Sequence, residues 1–149
     1  METFKLTPGT QPNVQVEDIR RYIRDTDPEY NILALDLKFS DQDIMDSMND
    51  AIMRYNSTPP FTNTYTINNC KSSYAIKNGT AYELMQKRYQ DLSSKLMQYS
   101  GGGMEQNNIQ AQIQHVTAMI KHFNDVFVEH VKQEKMARNL QRCMGVQIG

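Results

Sequence analysis

The chain has no tryptophan, two cysteines and no long apolar run, and each shortage removes a class of protein. Cys70 and Cys143 lie far apart, without CxxC spacing and without a His/Cys cluster beside either. That excludes a zinc module and a disulfide framework, and the expectation is two reduced thiols in a protein assembled in a cytoplasm. The longest unbroken apolar run, Ile32 to Leu35, falls far short of the roughly 20 residues that cross a bilayer. The first residues, METFKLTPGTQP, carry one early lysine and no apolar segment, so no secretory signal is expected there. A soluble protein without membrane contact follows.

What is present suits one domain of ordinary size. A chain of 149 residues buries enough surface on folding to need no staple. Hydrophobic residues make up 39 % and charged residues 22 %, which predicts a modest core. Ten methionines supply flexible filling where branched or indole side chains would fix the packing. Net charge is −1, so the whole molecule has no electrostatic drive toward nucleic acid. The charge is divided, however. Residues 1–60 hold eleven acids and six bases, and residues 61–149 hold six acids and ten bases. An acidic face of one subunit could meet a basic face of another, or the charges could pair within a monomer.

Along the chain, residues 1–15 contain two prolines and no regular apolar spacing, which reads as an extended arm. Val16, Ile19, Tyr22 and Ile23 recur at helical spacing, with Glu17 and Asp18 opposing the dipole at the start. Asp27-Pro28 stops this short helix. Ser40 then offers an N-cap with Asp43 at the third helical position, and Phe39 and Ile44 stand where a hydrophobic staple would. Ile44, Met48, Ala51, Ile52 and Tyr55 form the apolar stripe of this second helix, which ends at Asn56-Ser57-Thr58-Pro59-Pro60.

From Phe61 to Lys77 the sequence is rich in Thr and Asn and alternates weakly, predicting a projecting loop or β-hairpin. A third helix is expected from Gly79-Thr80, carrying Ala81, Met85, Tyr89, Leu92, Leu96 and Tyr99. Gly101-Gly102-Gly103 ends it. A fourth helix carries Ile109, Ile113, Val116, Ile120, Phe123 and Phe127 and runs to about Leu140. Two long helices with a short connection should fold back on each other as an antiparallel αα-hairpin. The expected fold is therefore mainly α. It is a small helical bundle over 16–142 built on that hairpin, with a projecting loop over 56–79 and extended termini at 1–15 and 143–149.

The usual chemical motifs are missing. His115 and His122 share a face, but two turns separate them by about 10 Å, too far to ligate one ion. Asp41, Asp43, Asp46 and Asp50 do not make a calcium loop, because the sixth position is Asp46 rather than Gly and the twelfth is Ile52 rather than Glu. The glycine triplet follows no strand and lacks GK[ST], so it is no phosphate cradle. No Ser-His-Asp or Cys-His grouping has local support. Neither catalysis nor a cofactor is expected. Lys132, Lys135, Arg138 and Arg142, spaced three, three and four, line the end of the fourth helix. They oppose its dipole there, and they could also contact phosphates or acidic neighbours.

The run Asp36-Leu37-Lys38-Phe39-Ser40-Asp41-Gln42-Asp43-Ile44, followed by Tyr55-Asn56-Ser57-Thr58-Pro59-Pro60, by Gly79 and by Tyr99-Ser100-Gly101-Gly102, resembles a family of small neck proteins of tailed bacteriophages, the head-to-tail connectors or adaptors. The resemblance implies a homo-oligomeric ring, commonly of twelve copies, in the virion neck. Such a ring would be assembled in the host cytoplasm between the portal protein and the tail or a second neck protein, with DNA in its lumen. Arm, loop and tail would then be interface elements. The candidate contact residues are Phe61, Tyr65, Ile67, Tyr74, Lys132, Lys135, Arg138, Arg142, Val146 and Ile148. Two other readings are a tail-completion or minor virion protein and a small regulatory nucleic-acid-binding protein. The last would require a basic recognition helix, whereas the best-capped helix is acidic.

Overall fold

The computed structural model describes residues 13–25, 39–61, 63–98 and 103–145. It is mainly helical, with four helices among the described residues: α1 (Val16–Ile23), α2 (Asp41–Ser57), α3 (Ser73–Gln98) and α4 (Met104–Cys143). At 1.5 Å per residue α3 is about 39 Å long and α4 about 60 Å.

Local chemistry sets the ends. Ser40 caps α2 by accepting from the Asp43 N–H at 3.1 Å, while the Asp43 carboxylate accepts from the Ser40 N–H, also at 3.1 Å. The capping box anticipated from sequence is therefore formed, and it satisfies two donors that a helix start would otherwise leave open. The hydroxyl and amide of Ser40 together hold the Asp43 carboxyl below its ordinary range. At α1, Gln15 and Asp18 form the corresponding reciprocal pair, which the sequence reading did not foresee. That helix closes on Arg24, whose left-handed φ of 57° lets its N–H reach the last carbonyls.

Contacts between α3 and α4 run in opposite order along the two helices. Ser72, at the start of α3, meets His130, while Arg88, further along, meets Gln112. α2 also crosses α3 in reversed order, since Asp43 faces Lys87 and Ala51 faces Gly79. The core is one cluster. Ile44, Met48, Ile52 and Tyr55 of α2 pack with Ile76, Ala81 and Leu84 of α3 and with Phe123, Phe127 and Val131 of α4. α1 lies across it, with Ile19 buried and the Tyr22 hydroxyl donating to buried Asn78 at 2.8 Å. Asn78 and Gly79, poor helix formers in the second turn of α3, are accounted for by the Tyr22 bond and by the close approach of Ala51 and Phe127.

Buried charge fastens α1 to α2. Arg20 bonds the Asp25 carboxylate at 3.2 Å, the Phe39 carbonyl at 3.0 Å and Asp41 at 2.6 Å. Arg54 of α2 lies 4.1 Å from the centre of the Tyr82 ring and donates to Asn124 of α4 at 2.7 Å. These charges are taken up by structure.

Two boundaries differ from expectation. α3 begins at Ser73 rather than near Gly79, so the connection after α2 spans only 58–72, and among the described residues it contains no strand. α4 ends at Cys143, three residues beyond Leu140. Of the arm expected over 1–15, residues 13–15 are described, with Val14 fully buried and the Asn13 amide donating to the Cys70 carbonyl at 3.1 Å. Of the tail expected over 143–149, Cys143 closes α4; residues 1–12 and 146–149 lie outside the described residues.

Candidate functional site

The densest polar constellation sits where α4 passes the end of α2. Lys135 is fully buried, although sequence spacing places it in a basic row at the end of α4. Its ammonium donates to the Tyr55 carbonyl and, at 2.6 Å, to the Thr58 carbonyl. Those carbonyls belong to the last turn and cap of α2, where helical hydrogen bonding runs out; the Tyr55 carbonyl also accepts from the Thr58 N–H, at 3.4 Å. A cation there also complements the negative end of the α2 dipole. Burial pushes the Lys135 ammonium below its ordinary pKa, since removal from water disfavours the charged form. The alkyl stem lies in the core while the head reaches polar atoms. Lys135 is thus a structural cap and not a surface contact.

Arg138, one turn later, is half-buried. It donates to the Tyr65 hydroxyl at 2.7 Å and to Glu134 at 2.5 Å. Tyr65 is also gripped through its backbone, where its N–H and its carbonyl both pair with the Asn56 amide at 2.8 Å. The Tyr65 ring stands edge-on to Tyr55, with centroids 5.5 Å apart. Burial, followed by the nearby Glu134 charge, drives the Tyr55 hydroxyl well above its ordinary pKa. Cys70 is buried close by, and burial raises its thiol too. Tyr65, Cys70 and Ser72 thus hold the later part of the 58–72 connection against the helices, while Phe61 in its earlier part stands exposed.

Ser72, His130 and Glu134 have the composition of a hydrolytic triad. Their geometry differs from one. Ser72 Oγ lies 3.4 Å from His130 Nε2, and Glu134 Oε2 lies 3.5 Å from the same nitrogen. A relay needs the acid and the hydroxyl on different ring nitrogens. The second Glu134 oxygen is occupied by Arg138, and Ser72 is buried. Among the described residues, no group of three His, Cys, Asp or Glu side chains is placed to hold a metal, and no helix is long and apolar enough to cross a membrane.

The candidate contact residues separate into distinct places. Phe61 is 75 % exposed and Tyr74 about half exposed, the latter with its ring edge-on to His130. Lys132 and Arg142 face solvent. Tyr65 and Ile67 are half-buried against the core. Val146 and Ile148 lie outside the described residues. The basic row of four thus divides, with two cations in water and two turned toward α2 and its connection. Sequence reasoning missed Tyr55, Asn56 and Glu134 as partners. The one available signal was the four-residue step from Glu134 to Arg138, which favours an ion pair on a helix.

Comparison with protein-family models, with curated proteins and with solved structures gave no match to this chain.

Proposed function

We propose that this chain is a structural virion subunit, a head-to-tail connector that repeats as a ring between portal and tail. Its body would be a helical bundle built on an antiparallel α3–α4 hairpin. The observation that carries the reading is the use made of the strongest polar groups. Lys135, Arg138, Arg20 and Arg54 all secure one helix or connection to another. Apolar side chains meanwhile stand exposed at the extremities, among them Phe61, Leu140 and Met144. A rigid body with greasy extremities suits a subunit that binds neighbours, because exposed apolar surface gains most when covered by another chain. The resemblance of the Asp36–Ile44 and Tyr55–Pro60 segments to phage neck proteins supports the same assignment.

The test is the place of the protein in a purified particle. A symmetric ring of this chain in the neck, seen by electron cryomicroscopy with its mass confirmed, is the expected result. A particle whose neck lacks the chain overturns the proposal. Proteolysis should cut 1–12 and 146–149 in the free subunit and spare them in the particle.

A further inference from the structure

The chain holds one Asn-Gly pair, Asn78-Gly79, and it lies in the second turn of α3. With no side chain on the glycine, its backbone nitrogen can reach the side-chain carbon of the asparagine before it. In that reaction the Gly79 nitrogen attacks Asn78 Cγ and loses its proton, and the side-chain amide leaves as ammonia. Water then adds to either carbonyl of the cyclic imide and reopens it. One opening gives an aspartate at 78. The other gives an isoaspartate, in which the main chain runs through the former side-chain carbonyl. Water is the only co-reactant.

The native structure blocks this route at each step. Ring closure needs the Gly79 nitrogen free and Asn78 turned out of helical geometry. In α3 the helical pattern instead assigns the Gly79 N–H to the Ala75 carbonyl. The Asn78 amide is held at both ends: Oδ1 accepts from the Tyr22 hydroxyl and Nδ2 donates to the Tyr74 carbonyl, each at 2.8 Å. Asn78 is fully buried, so water is kept from the carbon it would attack. Gly79 is packed between Ala51 of α2 and Phe127 of α4, and this turn cannot swing without parting three helices.

The product does not fit back. An aspartate at 78 sets a carboxylate oxygen against the Tyr74 carbonyl, where the amide now donates, in a place closed to water. An isoaspartate lengthens the main chain by one atom inside a helix, next to a residue packed that closely.

We infer that Asn78-Gly79 is a latent modification site, an imide-forming pair locked by the contacts of α1, α2 and α4 and released by unfolding. Its reaction turns a reversible opening into a permanent one, because the converted chain cannot regain the fold. Tyr22 of α1 is the outer bolt of this lock.

Peptide mapping by mass spectrometry tests this on the full chain, kept in mildly alkaline buffer with and without urea. Conversion at residue 78 should be about a hundredfold or more slower in the native protein, because only the opened fraction reacts. The helical signal recovered on dilution from urea should fall in step with conversion. Gly79→Ala should slow conversion several-fold in urea, where no fold is at stake, since a methyl group crowds the attacking nitrogen. Tyr22→Phe keeps the ring beside Phe123 and removes the bond to Asn78. Its native conversion should rise several-fold at unchanged circular dichroism. Asn78→Asp, which makes the aspartate product genetically, should have a lower urea midpoint than wild type at neutral pH. Equal rates in native and unfolded chains, an amide that survives urea, or full refolding of the converted chain overturns the inference.

Discussion

Phe127 lies directly against the bare Cα of Gly79, where an added Cβ would stand 2.9 Å from the ring carbon Cε2. The same Cβ would meet the Ala51 Cβ at 2.9 Å. One glycine thus lets α2, α3 and α4 approach together. An alanine at this position gains about 1 kcal/mol in helix propensity. It also forces apart two neighbours, one of which is fixed to its own backbone, and overpacking of this kind costs about 1–3 kcal/mol. Gly79→Ala should therefore destabilise on balance, and Gly79→Val more so. Urea denaturation followed by circular dichroism measures both; a more stable alanine variant would contradict the packing.

Lys135 offers a sharper test because its stem and its head do different things. Lys135→Met keeps most of the stem but takes the donor from the Thr58 carbonyl and leaves the Tyr55 carbonyl only the longer bond from the Thr58 N–H. An unsatisfied buried acceptor costs about 1–3 kcal/mol, and that loss is expected for the methionine variant. Lys135→Ala should lose more, since a cavity is added. Equal midpoints for wild type and Lys135→Met would mean that the ammonium contributes nothing net.

Acid should act on two carboxyls in opposite directions. The Asp43 carboxyl is held low by Ser40, so its contribution is complete above the unfolded value of about 3.8 and is lost as pH falls through the folded value. Glu83 is raised by burial, so its contribution is present at low pH and is lost as pH rises through its folded value. Between about pH 5 and pH 3, Asp43→Ala should therefore flatten the acid loss of stability, and Glu83→Gln should steepen it. Denaturation midpoints across that range give both slopes; the same change of slope in both variants would contradict the assignment.

The two thiols report on the connection between α2 and α3. Cys143 is exposed and Cys70 is buried with a raised thiol pKa. A thiol reagent should label one cysteine quickly in the native protein and the second only on opening or unfolding. Lys135→Met should speed the slow phase, because it removes a tie on the segment that carries Cys70. Two fast thiols in the native state would show that the 58–72 segment is not held down.

Much of the helical layout could be read before the structure. The α2 start is a local event, written in Ser40 and Asp43 and needing no partner elsewhere. The stripe of α4 is long enough for its period to dominate. The true start of α3 was hidden because Gly79-Thr80 reads as the point where a helix begins, and only the distant Tyr22 and Phe127 explain why Asn78 and Gly79 lie inside it. Lys135 was hidden for a similar reason. A lysine among other cations reads as solvated, and its acceptors are carbonyls eighty and seventy-seven positions earlier in the chain. Periodicity shows which face is apolar; it does not show which charged group fills a gap at the end of another helix.

The order of synthesis gives the Lys135 cap a further meaning. The end of α2 and the turn after it emerge from the ribosome well before the group that completes their hydrogen bonding, which is made eighty positions after Tyr55. A nascent chain stopped short of Lys135 lacks the ammonium that bonds the α2 exit, so the body is not sealed until most of α4 has been made. Termination before Lys135 would release a chain unable to seal its own middle.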